Sequence, residues 1–386
     1  MWSLSPDIHH LNHGSFGAVP VEVQEEQRVW SSRWEKATTR FIAEEFQPAL
    51  DSAREQVAGF VGAGAEGFAF VRNATTGIAS VVRSVESSLR PGDEILTTSQ
   101  AYNAVRQTLE FTAGRTGSRV IAVDVPLRVS SGDDIKAAIV SAVSNRTRLA
   151  VIDHISSPTG QVFPISEIID ELEPEIPVLV DGAHGPGQVP LDLEGLGASW
   201  YAGNLHKWVC APKGAAFLST RADRIAGTYP VVISHGWTVQ EGPGRYRALF
   251  DWLGTDDPSP WLATPKAIDV VGGSHPGGWD GLMARNRELA IAGWKVLGET
   301  LEVDPAYPEQ MVGSMASVPL PAFSGNRPMG MLSPLGTQLL DDGFETVVMF
   351  WPDWPDQLLR VSAHLYNTID EFEALAGALK ELLRQS

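Results

Sequence analysis

Short apolar runs alternate with helical patterns along residues 48–220. Seven runs are rich in β-branched or aromatic residues, and most are followed by a cluster of Gly, Pro, Ser or Asn. This alternation is typical of a mostly parallel sheet whose strands are joined by helices. The predicted strands are Phe68–Arg72, Glu94–Thr98, Arg119–Val123, Leu149–Asp153, Val178–Asp181, Trp200–Ala202 and Ala215–Ser219. The predicted helices include Ala49–Val61, Thr76–Leu89, Ala101–Ala113 and Asp133–Val143.

Beyond residue 220 the chain becomes rich in Trp, Gly and Pro before helical patterns resume at Leu282–Thr300 and Ile369–Arg384. We expect an α/β fold with three parts. Residues 1–20 form an extended arm, residues 21–262 a large domain with a mostly parallel seven-stranded sheet, and residues 263–386 a smaller α+β domain.

Charge and composition narrow the class of protein. The chain has 29 Lys and Arg against 47 Asp and Glu, a net charge of −18, and such a surface repels nucleic acid and anionic lipid. No apolar window approaches the ~18 residues of a membrane span. Because Cys210 is the single cysteine, an intrachain disulfide is excluded. The first residues also lack the basic segment followed by an apolar run that is typical of a secretory signal peptide. We expect a reduced, cytoplasmic protein.

Two motifs near the start have ordinary explanations. Gly62, Gly64 and Gly67 spell G-x-G-x-x-G, but a helix precedes them and a strand follows, the reverse of the dinucleotide fingerprint. We therefore predict a loop that ends a helix. His9, His10 and His13 lie close together in the sequence. A metal site needs ligands that converge on one point and are supported by further hydrogen bonds, and none of these features can be assigned here, so we predict no metal site.

Three segments place polar residues where predicted strands end. In FVRNATTGIASVV a helix begins near Thr75 or Thr76, and its free N–H groups suit a phosphate, although an ordinary Thr cap explains the pattern equally. In VLVDGAHGPG, Asp181 ends an apolar run and suits a cationic ring nitrogen, or else it caps the local backbone. In YAGNLHKWVC, Lys207 lies among aromatic residues that would lower its pKa, unless it is a surface lysine.

The order of the three segments favours one cofactor. A phosphate-type helix start, then a carboxylate, then a lysine 26 positions later are the groups needed to hold pyridoxal phosphate. The phosphate needs an anion site, the ring nitrogen needs a carboxylate to stay protonated, and the aldehyde needs an amine.

The chain resembles the class V aminotransferase superfamily, and most closely its isopenicillin N epimerase-like branch, across residues 11–380. The resemblance implies a fold-type I pyridoxal phosphate enzyme that forms an external aldimine with an amino-acid substrate and reacts at Cα. It rests on the segments LNHGSFGAVP, RNATTGIASVV, AYNAV, DHISSPTG, VDGAHGPGQVPLDL, YAGNLHKW and LLRVSAHLYNTIDEFEAL.

The resemblance assigns cofactor contacts residue by residue. Lys207 matches the lysine that joins the cofactor and afterwards moves the Cα proton, and Asp181 matches the partner of the ring nitrogen. His184 matches the residue that hydrogen-bonds the ring hydroxyl, and Tyr102 matches the aromatic or His residue stacked on the ring. The residues matching the phosphate site are Ala74, Thr75, Asn204 and His206.

The resemblance also implies contacts beyond the cofactor of one subunit. Thr255, after Gly254, matches a Thr that reaches the neighbouring subunit's phosphate, so a homodimer with a shared site is expected. Arg360 matches the arginine that binds the substrate α-carboxylate, for which a planar fork is suited. The arm is expected to line the substrate entrance through Asn12, Gly14, Ser15 and their neighbours.

The resemblance leaves the reaction open. A substrate-specific carbon–sulfur lyase or epimerase ranks ahead of an aminotransferase, and a non-catalytic cofactor-binding regulator or a purely structural α/β protein are the competing classes. Residues 332–360 contain no Cys, so the persulfide chemistry of the related cysteine desulfurases is not expected. Cys210 is expected to be a small core residue. The many tryptophans suit either a substrate pocket or the core.

Overall fold

A computed structural model describes residues 1–242, 244–327 and 333–385. This part of the chain contains twelve β-strands, numbered in chain order. They are β1 (His9–His10), β2 (Phe68–Val71), β3 (Glu94–Thr98), β4 (Arg119–Val123), β5 (Thr147–Asp153), β6 (Val178–Gly182), β7 (Trp200–Asn204), β8 (Ala216–Thr220), β9 (Met315–Leu320), β10 (Phe344–Glu345), β11 (Val347–Phe350) and β12 (Gln357–Ser362).

Fifteen α-helices lie in the same described ranges, and short 3₁₀ and π turns join several of them. They are α1 (His13–Phe16), α2 (Val21–Lys36), α3 (Thr38–Arg40), α4 (Phe46–Phe60), α5 (Ala74–Glu86), α6 (Asn103–Thr116), α7 (Gly132–Ser141), α8 (Ile165–Leu172), α9 (Leu193–Leu196), α10 (Arg245–Asp251), α11 (Ser259–Leu262), α12 (Thr264–Gly272), α13 (Gly278–Leu301), α14 (Pro334–Asp341) and α15 (Ile369–Gln385). None of the described helices has the length and apolar character needed to cross a bilayer.

The predicted seven-stranded sheet is confirmed, with the order β2-β8-β7-β6-β5-β3-β4. Strand β8 runs antiparallel to both of its neighbours, and the remaining pairs are parallel. The strand limits follow the prediction to within two residues. Because six strands run the same way, their carboxyl ends meet along one edge, which is where open α/β sheets bind ligands.

Helices cover both faces of this sheet, which explains why its strands are apolar on both sides. On one face, α5, α6 and α10 bury residues such as Ile78, Leu109 and Phe250. On the other face, α4, α7 and α8 pack Leu50 and Ile168 against the strands, among other residues. Burial on both faces holds the strand ends in fixed positions.

A second sheet follows in the chain, with the antiparallel order β11-β12-β9. Helices α13 and α15 pack against each other, and α13 also contacts β9. The predicted domain boundary near residue 262 falls between α11 and α12, and both of these helices pack against α2. The division into an arm, a large domain and a small domain therefore remains a prediction.

The first 20 residues form a small third sheet with β10 and contact both β12 and the turn that follows β7. Strand β1 pairs in parallel with β10, and Leu11 is completely buried. Gly17 has φ +71°, and a Cβ atom at this position would lie 2.1 Å from the backbone oxygen of His206. Only glycine permits that conformation and approach at no steric cost, so the arm passes directly over the turn that carries Lys207.

The glycine motif is the loop that the sequence indicates. Helix α4 ends at Phe60, Gly62 has φ +63°, and β2 begins at Phe68. No strand leads into these glycines and no helix opens on them among the described elements, so they do not form a dinucleotide site.

Candidate active site

Three polar residues predicted from two separate segments meet at the carboxyl edge of the large sheet. Asp181 lies in β6, Asn204 ends β7, and Lys207 lies in the turn that follows β7. The registers Asp181↔Ala202 and Gly182↔Gly203 bring these strand ends side by side. The sheet therefore assembles residues that are up to 26 positions apart in sequence.

Asp181 is buried, and it has a buried carboxyl neighbour that the sequence did not single out. Asp153 ends β5 and is the register partner of Asp181 on the adjacent parallel strand. Burial and the charge of Asp181 raise the pKa of Asp153 well above its usual value. Burial also raises the pKa of Asp181, against the lowering effects of the Ala183 N–H and the charge of Lys207. Two carboxylates this close cannot both ionise cheaply, so we infer that Asp153 holds the proton at neutral pH.

We expect the substitution Asp153→Asn to stabilise the cofactor-free protein at pH 8, by on the order of 1 kcal/mol. The raised pKa means that the wild-type chain loses stability as the pH rises from the unfolded value through the folded one, and asparagine cannot ionise. Thermal unfolding at pH 4 and pH 8 measures the difference, which should shrink at pH 4. The exposed Asp170→Asn is the control, and equal melting of wild type and Asp153→Asn at both pH values would show that Asp153 is ionised in the fold.

Lys207 is a buried amine. Its Nζ lies 3.0 Å from Nε2 of His184. Burial and the charge of Arg360 lower the pKa of Lys207 to about 7, against the opposing effect of Asp181. The surface reading of this lysine is therefore wrong, and a large fraction of the amine is neutral at physiological pH.

The predicted phosphate site lies at the start of α5, but its cap differs from the prediction. The helix begins at Ala74 and is capped by Asn73, whose Oδ1 accepts from Thr76 N at 2.8 Å. The Ala74 N–H donates to Asn204 Oδ1, also at 2.8 Å. Within the described ranges, the N–H and hydroxyl of Thr75 have no hydrogen-bond partner, so they remain available to an anion.

His206 follows Asn204 by two residues and is neutral. Its Nδ1 donates to the Ala215 carbonyl at 2.9 Å, and burial lowers its pKa to about 4. Its Nε2 is therefore a lone-pair acceptor in the free protein, and a bound phosphate would have to raise the His206 pKa to gain a donor there. The phosphate roles of Ala74, Thr75, Asn204 and His206 stay predictions.

Tyr102 and Thr255 lie farther out. Tyr102 is half exposed just before α6. Burial lowers the pKa of Arg360 to about 10, and the nearby Tyr102 opposes that shift. Thr255 is exposed in the loop after α10, where the neighbouring Asp256 pairs with Arg72, two residues before α5. Among the described residues, the structure gives Thr255 no hydrogen bond to any other predicted site residue. The stacking role of Tyr102 and the cross-subunit role of Thr255 stay predictions.

Arg360 is held by the arm. Its Nη2 donates to Asn12 Oδ1 at 3.2 Å and to Ser15 Oγ at 2.7 Å, while Nη1 donates to the Ser157 carbonyl. Its Nε is buried without a partner. Nε and Nη2 form one edge of the guanidinium fork, so a carboxylate at this edge would accept from the unpartnered Nε–H and would replace Asn12 or Ser15 as an acceptor at Nη2.

Gly14 supports the arm at this point. Its N–H donates to Ser362 Oγ at 3.2 Å, and a Cβ atom there would lie 2.4 Å from Met315 Sδ. Gly14 therefore has a packing role, and the structure gives no sign that it contacts a substrate. The predicted substrate-binding roles of Asn12, Gly14, Ser15 and Arg360 remain predictions.

A buried cluster of His13, Cys210 and His364 lies beneath the Lys207 turn. Cys210 Sγ is 3.7 Å from Nε2 of His13 and 3.5 Å from Nε2 of His364. The two imidazole rings stack with centroids 4.0 Å apart and planes inclined by 15°. A metal must lie near the plane of each imidazole that binds it, and stacked rings cannot both satisfy that condition. As it stands, the cluster is a packing and hydrogen-bonding unit.

Sequence reasoning missed three further residues of this site. Asp153 and His154 lie in the DHISSPTG segment, and His154 Nδ1 lies 2.9 Å from the buried Tyr201 hydroxyl. Trp208 follows Lys207 and is completely buried. A polar pair at the end of a predicted strand was the available signal for Asp153 and His154.

The residues present fit pyridoxal phosphate. Within the described ranges, the Asp181 carboxylate accepts one hydrogen bond, from Ala183 N at 3.0 Å, although it has two oxygens. The unpartnered Thr75 donors and the low-pKa amine of Lys207 lie along the same sheet edge. A carboxylate, an amine and an anion site are the three groups that this cofactor requires.

Comparisons with known proteins agree with this chemistry. Residues 18–375 match the family described as aminotransferase class-V. The chain is 36% identical to isopenicillin N epimerase of Amycolatopsis lactamdurans, covering 98% of this chain and 96% of the relative. It is 32% identical to putative L-cysteine desulfhydrase 1 of Oryza sativa subsp. japonica, covering 97% and 83%. The fold matches the cystine C-S lyase C-DES in complex with cysteine persulfide, with a TM-score of 0.81, 20% identity, and 97% and 98% coverage.

Proposed function

The chain belongs to the aminotransferase class-V family and uses pyridoxal phosphate, and we propose that it is a carbon–sulfur lyase or an epimerase acting on a specific amino acid. One observation supports reaction at Cα above all. Lys207 is a buried amine with a pKa of about 7, and it lies under the influence of both the Asp181 carboxylate and the Arg360 guanidinium. An amine poised near neutral pH is suited to taking a proton from carbon and returning it.

The chain's own residues divide the work. The Nε and Nη2 edge of Arg360 binds the substrate α-carboxylate in place of Asn12 or Ser15, and so directs the Cα–H toward Lys207. The buried Asp181 carboxylate would hold the cofactor ring nitrogen in its protonated form. Pyridoxal phosphate, when bound, supplies an electron-withdrawing ring that stabilises negative charge on the substrate Cα. The low pKa of Lys207 lets the same amine act first as base and then as acid.

The fate of the substrate then separates the candidate reactions. Loss of a sulfur group from Cβ makes the enzyme a lyase, and delivery of a proton to the opposite face by a second acid makes it an epimerase. Relatives named as isopenicillin N epimerase and as L-cysteine desulfhydrase support these two outcomes over transamination. A persulfide route has little support, because Cys210 is completely buried and burial raises its thiol pKa.

The test is to incubate the loaded enzyme with a panel of L- and D-amino acids and sulfur-linked conjugates in deuterated water. Deuterium at Cα with inversion identifies an epimerase, and pyruvate with a released thiol identifies a lyase. A keto acid that retains the side chain would instead establish an aminotransferase. Cofactor binding without exchange on any compound would establish a non-catalytic binding protein and overturn the proposal.

A homodimer with a shared site is part of the proposal. Several exposed apolar side chains lie in one segment, namely Val231, Val232, Ile233, Trp237 and Val239. A cluster of this kind is what a subunit interface covers. Thr255 lies in an exposed loop, where it can reach a second subunit.

We therefore expect Thr255→Ala to remain dimeric but to lose pyridoxal phosphate more readily, with roughly a tenfold weaker cofactor Kd for one lost charge-assisted hydrogen bond. Analytical ultracentrifugation and equilibrium dialysis measure the two properties. Thr255→Ser keeps the hydroxyl and should retain the cofactor as the wild type does. A monomeric wild type would contradict the shared site.

A further inference from the structure

Trp208 places one polar atom in the candidate site. The side chain is completely buried, and its Nε1 lies 3.4 Å from Nδ1 of His184. An indole N–H can only donate a hydrogen bond, so His184 Nδ1 must be the acceptor. This contact therefore determines which nitrogen of His184 can carry the proton.

The other nitrogen of His184 faces the amine. Its Nε2 lies 3.0 Å from Nζ of Lys207. Burial and the charges of Lys207, Arg360 and His206 hold the pKa of His184 well below its usual value, so the ring is neutral and carries one proton. Because Nδ1 accepts, that proton is on Nε2, and Nε2 donates to the lone pair of a neutral Lys207 amine.

Neighbouring residues other than His184 fix the position of the indole. Ile155 and Met315 pack against it from two other parts of the chain. The centroids of the His13 ring and the indole are 5.1 Å apart. His13 Nε2 also donates to the Lys207 carbonyl at 3.0 Å. Trp208 is thus fixed independently of His184, as a group that orients another must be.

We propose that Trp208 is a positioning residue, whose indole N–H selects the Nε2–H form of His184 and so keeps Lys207 as a neutral amine. The proposal rests on the function proposed above, in which that amine reacts. The arm and β9, which begins at Met315, hold the indole in place. Remote parts of the chain therefore influence the reactivity of Lys207.

Loss of the indole N–H should change the titration of Lys207. Without it, His184 can carry its proton on Nδ1, and its Nε2 then accepts from an ammonium group. The other charges facing Lys207 stay the same, with Asp181 favouring the ammonium and Arg360 opposing it. We expect the midpoint of the Lys207 titration to rise by about one pH unit. At a given pH below that midpoint, the neutral fraction of the amine would be about tenfold smaller.

Two measurements on the full-length chain test the proposal. Long-range nitrogen–proton spectra of nitrogen-15 histidine-labelled protein, with and without pyridoxal phosphate, assign the protonated nitrogen of His184. The rate of cofactor reloading as a function of pH gives the Lys207 midpoint. Wild type should carry the proton on Nε2, and Trp208→Phe should shift it to Nδ1 and raise the midpoint.

The controls separate this role from packing. Benzothienylalanine at position 208 keeps the shape of tryptophan without the N–H, and it should reproduce both changes even if Trp208→Phe folds poorly. Trp200→Phe removes a different buried indole donor, which serves Thr228, and should change neither. In a His184→Phe background, Trp208→Phe should no longer move the midpoint.

A wild-type proton on Nδ1, or an unchanged tautomer and midpoint in both position-208 variants, would overturn the proposal. Such a result would leave cofactor attachment at Lys207 intact. Failure of pyridoxal phosphate to attach at Lys207 would instead overturn the proposed function, while the histidine spectra would still report the tautomer.

Discussion

Replacing Lys207 with alanine should abolish covalent attachment of pyridoxal phosphate and lower kcat by at least about 10³-fold. The substitution removes the buried amine with a pKa of about 7 that faces His184. Asp181, Thr75 and Arg360 remain in place, so the cofactor can still bind without a covalent bond. Borohydride reduction followed by peptide mass spectrometry locates the modified residue, and the visible absorption band follows its loss.

The neighbouring Lys213 supplies a matched control. It lies six positions away on the same segment, and its Nζ donates to the Gly17 carbonyl at 2.8 Å instead of facing His184. Lys213→Ala should keep the covalent cofactor and most of the activity. Attachment of the cofactor at Lys213, or full activity of Lys207→Ala, would contradict the assignment.

Replacing Arg360 with lysine should lower kcat/KM by roughly 10–100-fold, mainly through KM, with cofactor binding unchanged. Lysine keeps the charge but presents a single ammonium in place of the planar Nε and Nη2 edge. It also loses the bonds to Asn12 and Ser15 that draw the arm over the site. Steady-state kinetics on the substrate found in the deuterium panel measure the change.

Arg287→Lys is the matched control for that substitution. Arg287 uses its fork to bind the carbonyls of Val312 and Glu309, away from the candidate site. Its variant should lose some stability but keep KM. If Arg360→Lys leaves KM and kcat unchanged, Arg360 does not bind the substrate carboxylate.

The strands and the two central site residues were predictable from the sequence for a physical reason. A strand buried on both faces is an uninterrupted apolar run, so Asp181 stands out where one run ends and Lys207 stands out just after another, whereas Asn204 was assigned only through the family resemblance. Parallel connectivity then brings those ends to one edge. The resemblance to class V aminotransferases, which the comparisons confirm, rests on residues at these strand ends.

The helix start at Ala74 shows where a local pattern was ambiguous. Asn73, Thr75 and Thr76 are all good cap residues, and only the observed bond from Thr76 N to Asn73 shows which one caps. That bond leaves Thr75 with free donors.

Apolar runs and their order along the chain are local features, so the sequence alone was enough to predict an α/β fold. The same features placed a lysine, a carboxylate and a phosphate-type helix start at the predicted strand ends. The tertiary structure decided the pairing of Asp153 with Asp181, the contact of Trp208 with His184 and the hold of the arm on Arg360. These depend on strand register and on contacts between residues up to 348 positions apart, and no local pattern encodes such distances.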